Sequence, residues 1–105
     1  MESKRYTIEL TEQATKDLKR LRPWVAEATL AVFALETDPT RGHPLTGSLR
    51  GMRSLEFFLK GSGEYRAVYR VIEVERVCLV FIIGPHENIY AKAERRAAAA
   101  RRQAP

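Results

Sequence analysis

Two arginines, Arg66 and Arg70, and the run Gly84-Pro85-His86-Glu87-Asn88-Ile89-Tyr90 are where this sequence holds side chains suited to chemistry. In Tyr65-Arg66-Ala67-Val68-Tyr69-Arg70-Val71 apolar and charged residues alternate, so both guanidinium groups leave one face of an extended strand, about 13 Å apart at the usual rise. Guanidinium groups on an open surface bind phosphate or carboxylate; the alternative for Arg66 and Arg70 is a surface pairing with Glu56 or Glu64. His86 follows an apolar strand, where an imidazole can exchange a proton near neutral pH or simply cap a carbonyl. Tyr90, four residues on, can stack on a base and set its hydroxyl beside a phosphate, or it can serve as a core tyrosine. His43 lies in a Gly/Pro-rich loop with no partner near it in sequence and is read as ordinary. No zinc-ligand spacing, Gly-rich phosphate loop or nucleophile elbow is present, so neither a metal nor another cofactor is expected.

These side chains need a frame, and the periodicity supplies one. Tyr6 to Leu10 alternates as a short half-buried strand. Thr11 can cap a helix whose Ala14, Leu18 and Leu21 share a face while Lys16, Asp17, Lys19 and Arg20 meet water. Pro23 separates it from a second helix, Trp24 to Glu36, with Val25, Ala28, Val32 and Leu35 on one stripe. Thr40 to Gly51 reads as a loop. Then the period changes to two: Leu55, Phe57 and Leu59 mark a second strand, Tyr65 to Ile72 a third, and Val77 to Ile83, with no polar face, a central fourth. Asn88 to Arg102 predicts a last helix with a basic, fraying end from about Ala97. The expectation is one α+β domain over residues 1–105, a mainly antiparallel sheet of about four strands with helices on one face. Arginine is poorly suited to lie under helices, so the face of Arg66 and Arg70 should be open and concave.

At 105 residues the chain has room for one domain. Its longest apolar run, Val77 to Ile83, is far shorter than the roughly 20 residues of a membrane-crossing helix. With no apolar segment at the N-terminus, a cytoplasmic location is expected. The single cysteine, Cys78, sits in that apolar run and is read as a buried small hydrophobe, not a nucleophile. Formal charge is +5, and Lys92 to Pro105 holds five basic residues against one acid. That excess fits a negatively charged partner, nucleic acid or acidic protein, as well as a solubilising tail.

The order of these pieces is familiar. Ala14-Thr15-Lys16-Asp17-Leu18, then Leu45-Thr46-Gly47-Ser48-Leu49-Arg50-Gly51-Met52, then the Tyr-Arg-x-x-Tyr strand, an apolar strand, a Gly, a His and a Tyr opening the closing helix, resemble the RelE/ParE superfamily of type II toxin–antitoxin toxins over about Tyr6 to Arg96. The resemblance implies the β-α-α-β-β-β-α RelE-like fold. It also implies an antitoxin partner in a toxin–antitoxin hetero-oligomer. For the RelE branch it implies metal-independent cleavage of messenger RNA on the ribosome by the RNA's own 2′-hydroxyl. On that reading Arg66 binds the scissile phosphate, His86 is general base or acid and Tyr90 completes the site. Arg53, Lys60, Arg70, Lys92, Arg95 and Arg96 bind RNA backbone. Phe57 and Leu59 stand where the RelE branch carries strand lysines, and Glu87 where relatives often carry an arginine. The alternatives are a ParE-like inhibitor of DNA gyrase without catalysis, and a degenerate toxin that only binds its antitoxin.

Overall fold

The structure, a computed structural model, describes residues 5–103, with side chains up to Ala99. Strand β1 (Thr7–Leu10) leads into helix α1 (Glu12–Lys19), whose cap is the expected one: Thr11 Oγ1 accepts the Ala14 N–H at 3.1 Å. Helix α2 (Val25–Phe33) ends in a tighter 3-10 turn, Ala34–Glu36. Strands β3 (Arg53–Leu59), β4 (Gly63–Ile72) and β5 (Val77–Pro85) form the meander that the change of period predicts, and α3 (Ile89–Gln103) closes the chain. The α+β class and RelE-like element order stand as expected.

Three features differ in detail. The loop at 40–51 contributes a short strand, β2 (His43–Pro44), so the sheet has five strands in the order β1-β5-β4-β3-β2, antiparallel except for the β1–β5 pair. The helices divide between the two faces. Ala14, Leu21, Ala28, Val32 and Leu35, from α1, α2 and the turns that follow them, pack on Leu55, Ala67, Tyr69, Cys78 and Val80, whereas Ile89 and Ala93 of α3 pack with Leu49 and Met52 on Val68 and Ile82 of the other face. The arginine face is therefore half covered: Val68 between the two arginines is fully buried, and such burial is worth about 1.5–3 kcal/mol per aliphatic side chain. Only the ends of that face, where Arg66 and Arg70 stand, stay reachable.

The third difference concerns Asp17, expected in water but buried. β1 stops at Leu10, opposite Val80, which leaves the outer edge of β5 without a strand neighbour beyond that point. Side chains take the strand's place. The Asp17 carboxylate accepts the Ile83 N–H at 3.0 Å, and Arg96 Nη1 donates to the Phe81 carbonyl at 2.8 Å. The pair is also joined, Arg96 Nη1 and Nη2 lying 2.8 and 3.0 Å from the two carboxylate oxygens.

Cys78 is buried, as expected, and burial, reinforced by Glu73, pushes its thiol up to about 11. At neutral pH the thiolate that nucleophilic chemistry needs is therefore scarce.

Tyr69 fastens the 39–42 segment to the sheet. Its hydroxyl accepts the Gly42 N–H at 3.0 Å and donates to the Pro39 carbonyl at 2.6 Å. Burial pushes this phenol above its ordinary value, which keeps the proton it donates. Tyr69→Phe removes both bonds at a site with no access to water, so we expect a loss of about 1–3 kcal/mol in urea unfolding; an unchanged midpoint would show that the segment is held by other contacts.

Candidate functional site

Arg66 sits opposite Glu56 on one side and Gly84 on the other. Glycine at 84 leaves room for Ile89, whose Cδ1 would lie 3.3 Å from a Cβ built there, so the first turn of α3 settles against the sheet at this point. Asn88 turns the chain into that helix from the left-handed region (φ 60°), a conformation asparagine tolerates better than most residues. The result carries Tyr90 over Arg66: the guanidinium carbon is 5.4 Å from the ring centroid, and Nη1 donates to the phenol oxygen at 2.5 Å.

The same phenol gathers two further groups. It donates to Ser54 Oγ at 3.1 Å and stands 3.5 Å from His43 Nε2. β3 places Ser54, Glu56 and Phe58 on the arginine face, with Ser54 buried and Phe58 exposed. Phe57 and Leu59 face the opposite way, Phe57 stacked on Tyr65 and Leu59 buried in the first core, so they leave the surroundings of Arg66 to their neighbours. Glu56 Oε2 lies 3.2 Å and Glu64 Oε2 3.8 Å from the Arg66 guanidinium. Arg66 therefore makes the carboxylate pairing that the sequence offered as the alternative to a phosphate site, and it also meets Tyr90. Its Nε is buried with no hydrogen-bond partner among the described residues, a donor left over at the centre of the cluster.

The remaining residues named from the sequence are distributed unevenly. His86 is exposed beside Glu64, to whose carbonyl its backbone N–H donates at 3.1 Å, and no side-chain hydrogen bond ties its imidazole to Arg66 or Tyr90. Arg70 is exposed on the same sheet face, its guanidinium 5.8 Å from the Phe81 ring, with no carboxylate partner among the described residues. Lys60 is exposed in the turn after β3, and Lys92 and Arg95 are exposed on α3. Two expected RNA contacts have other occupations. Arg53 donates from Nε to the Gly42 carbonyl (2.8 Å) and from Nη2 to the Thr40 carbonyl (3.1 Å), holding the segment ahead of His43. Arg96 is engaged by Asp17 and Phe81 as described. Arg53 is drawn to the loop carbonyls of Thr40 and Gly42, and Arg96 to the Asp17 carboxylate and to the Phe81 carbonyl, which Thr11 Oγ1 also reaches at 3.5 Å. Arg101 and Arg102 lie beyond the described side chains.

Glu56 was already named from the sequence as a partner for Arg66, whereas His43, read as ordinary, and Ser54 are the members of the cluster that the sequence did not single out. The only signal for them in the sequence was the Gly42-His43-Pro44 step in a loop rich in turn residues, and its strand pairing is visible only in three dimensions. Among the described residues no three His, Cys, Asp or Glu side chains converge as metal ligands, and no helix is long and apolar enough to cross a membrane.

Residues 8–94 match the family model of the ParE-like toxin of type II bacterial toxin–antitoxin systems. Among solved structures, the fold is similar to the toxin–antitoxin complex RelBE2 of Mycobacterium tuberculosis (TM-score 0.69, 27% identity, 78% of this chain and 99% of that one). It is also similar to an arginine-to-alanine variant of the E. coli toxin RelE in the free state (TM-score 0.66, 24% identity, 95% and 99%). A third likeness is to the same variant in complex with an antitoxin RelB peptide (TM-score 0.57, 29% identity, 84% and 93%). No curated protein sequence matches the chain.

Proposed function

The chain belongs to the ParE-like toxins of type II bacterial toxin–antitoxin systems, and from that premise we propose that it is an mRNA endoribonuclease acting on the ribosome. The observation that supports this reading is the Arg66–Tyr90 pair, a half-buried guanidinium with an unpartnered Nε under a phenol at a solvent-reachable rim. Cleavage by the RNA itself makes a specific demand. The 2′-oxygen bonds to phosphorus, the bond from phosphorus to the 5′-oxygen breaks, and the products are a 2′,3′-cyclic phosphate and a 5′-hydroxyl. Negative charge builds on the non-bridging oxygens between those events, and a preplaced guanidinium stabilises it without reorganising. Glu64, the more distant carboxylate at 3.8 Å, is the partner a phosphate displaces most easily. Tyr90 orients the guanidinium and offers its face to a neighbouring base. Exposed Arg70, Lys60, Lys92 and Arg95 supply backbone contacts.

A second reading, a gyrase-binding toxin without catalysis, is favoured by one observation: β3 surrounds Arg66 with Ser54, Glu56 and Phe58, where a phosphate site would gain from lysines. In either case the partner is an antitoxin whose acidic residues reach Arg66 and Arg70 and keep the site closed, in a hetero-oligomer. Induction of the chain without antitoxin, followed by sequencing of RNA ends, separates the readings. New 5′-hydroxyl ends within translated codons are expected. Growth arrest with intact messages and lost DNA supercoiling would replace the first reading with the second, and growth without arrest would mark a toxin that only binds its antitoxin.

A further inference from the structure

We propose that His43, and not His86, is the side chain that moves the proton at this site. The inference rests on the ribonuclease reading and assigns its acid–base group.

The geometry favours His43 on three counts. First, register: β2 pairs His43 with Ser54, one step from the Glu56–Arg66 pair on β3, so the imidazole belongs to the same face as the arginine. Second, contact: Nε2 stands 3.5 Å from the Tyr90 hydroxyl, which itself receives Arg66 and donates to Ser54. Third, positioning: the residue ahead of it is locked. The Gly42 N–H is held by Tyr69 and its carbonyl by Arg53, at 3.0 and 2.8 Å. A Cβ at 42 would come within 2.7 Å of the Ser54 carbonyl, so only glycine lets the segment lie this close to β3. Pro44 restricts the backbone on the other side. An exposed loop histidine with no task requires none of this. The imidazole remains accessible, lining a hollow of about 180 Å³ with Arg41, Ser54, Leu55 and Glu56. The charged and titratable groups around it are thus Arg41 from its own segment, Glu56 from β3, Arg66 from β4 and Tyr90 from α3.

The proton inventory closes with these groups. Neutral His43 Nε2 accepts the proton of the 2′-hydroxyl. The oxygen's electron pair forms the bond to phosphorus while the bond to the 5′-oxygen breaks, leaving its electrons on that oxygen. The 5′-oxygen takes the Tyr90 proton, and the phenolate, held by Arg66, recovers a proton from the His43 imidazolium. No proton is gained or lost, and each group ends as it began.

The test uses ribosomes programmed with a short message and compares wild type, His43→Gln and His86→Gln in single-turnover cleavage across pH. We expect His43→Gln to slow cleavage about a hundredfold and to remove the low-pH limb of the rate profile. His86→Gln should keep the wild-type profile. Free imidazole should restore cleavage to His43→Ala, which a merely structural residue would not allow; melting curves of each variant confirm the fold. Wild-type rate and pH profile in His43→Gln, or the loss appearing in His86→Gln instead, overturns the assignment and leaves the ribonuclease reading in place. A wild-type protein that arrests growth yet cuts no message at any pH removes that reading, and this inference with it.

Discussion

Arg66→Ala is expected to abolish growth arrest and to lower message cleavage by about a thousandfold, the upper part of the range seen when one preplaced charge-stabilising donor is removed. The stability cost should be small. Glu56 and Glu64, which lose their partner, are 46% and 44% exposed, so water screens them and the pairs contribute about 1 kcal/mol or less. Loss of the buried Nε removes a donor that had no partner to begin with. The two effects can therefore be read apart, with RNA-end sequencing reporting the chemistry and a melting curve reporting the fold. Arg66→Lys sharpens the result. It keeps the charge but loses the planar fork that can hold Tyr90 and a phosphate together, so it should recover only part of the activity. Cells that arrest normally with alanine at 66, and cut the same codons, would show that the guanidinium is structural.

Asp17→Ala should destabilise the protein by about 3–5 kcal/mol, the range for removing one partner of a buried ion pair. Set against a total stability of roughly 5–15 kcal/mol for a domain of this kind, that is a large fraction. The argument is one of orphaned groups. The Ile83 N–H loses its acceptor at a strand edge with no neighbour, and the Arg96 guanidinium keeps only the Phe81 carbonyl. Arg96 is 26% exposed and can turn partly to water, which places the expectation at the low end of the range. Arg20, 72% exposed at 3.4 Å from the same carboxylate, contributes little. A urea series on Asp17→Ala, Arg96→Met and the double variant gives the coupling energy directly. A single-variant loss under about 1 kcal/mol would contradict the burial argument. The consequence also reaches the candidate site. Arg96 and Tyr90 are on the same helix, so releasing the α3–α1 contact should loosen Tyr90 over Arg66 as well.

Much of this protein was legible from residue order. Alternation over Tyr65–Ile72 put Arg66 and Arg70 on one face, and the shift from helical period to period two after Gly51 located the meander. Thr11 marked the start of α1, and Arg66 and Tyr90 were singled out and do meet. The first three depend on neighbours within a turn or two of the chain, where spacing alone says which way a side chain points; the meeting of Arg66 with Tyr90, 24 residues apart, is a tertiary contact. What the sequence could not convey were the partners. Asp17 looked like one of four polar residues on a wet helix face, yet it is buried because β1 ends early and leaves an open strand edge 66 residues further on. Arg53 and Arg96 looked like cations awaiting RNA, but carbonyls of the 40–42 segment claim the first, and the Asp17 carboxylate with the Phe81 carbonyl claims the second. The sequence favoured His86, after the apolar strand, and left His43 as an ordinary loop histidine; only the pairing of a two-residue strand with β3 brought His43 to the phenol. Local order set the elements and their faces because backbone sterics and apolar periodicity act over short range. Tertiary structure decided the site, because hydrogen bonds and charges at strand edges are satisfied by whichever distant group the fold delivers.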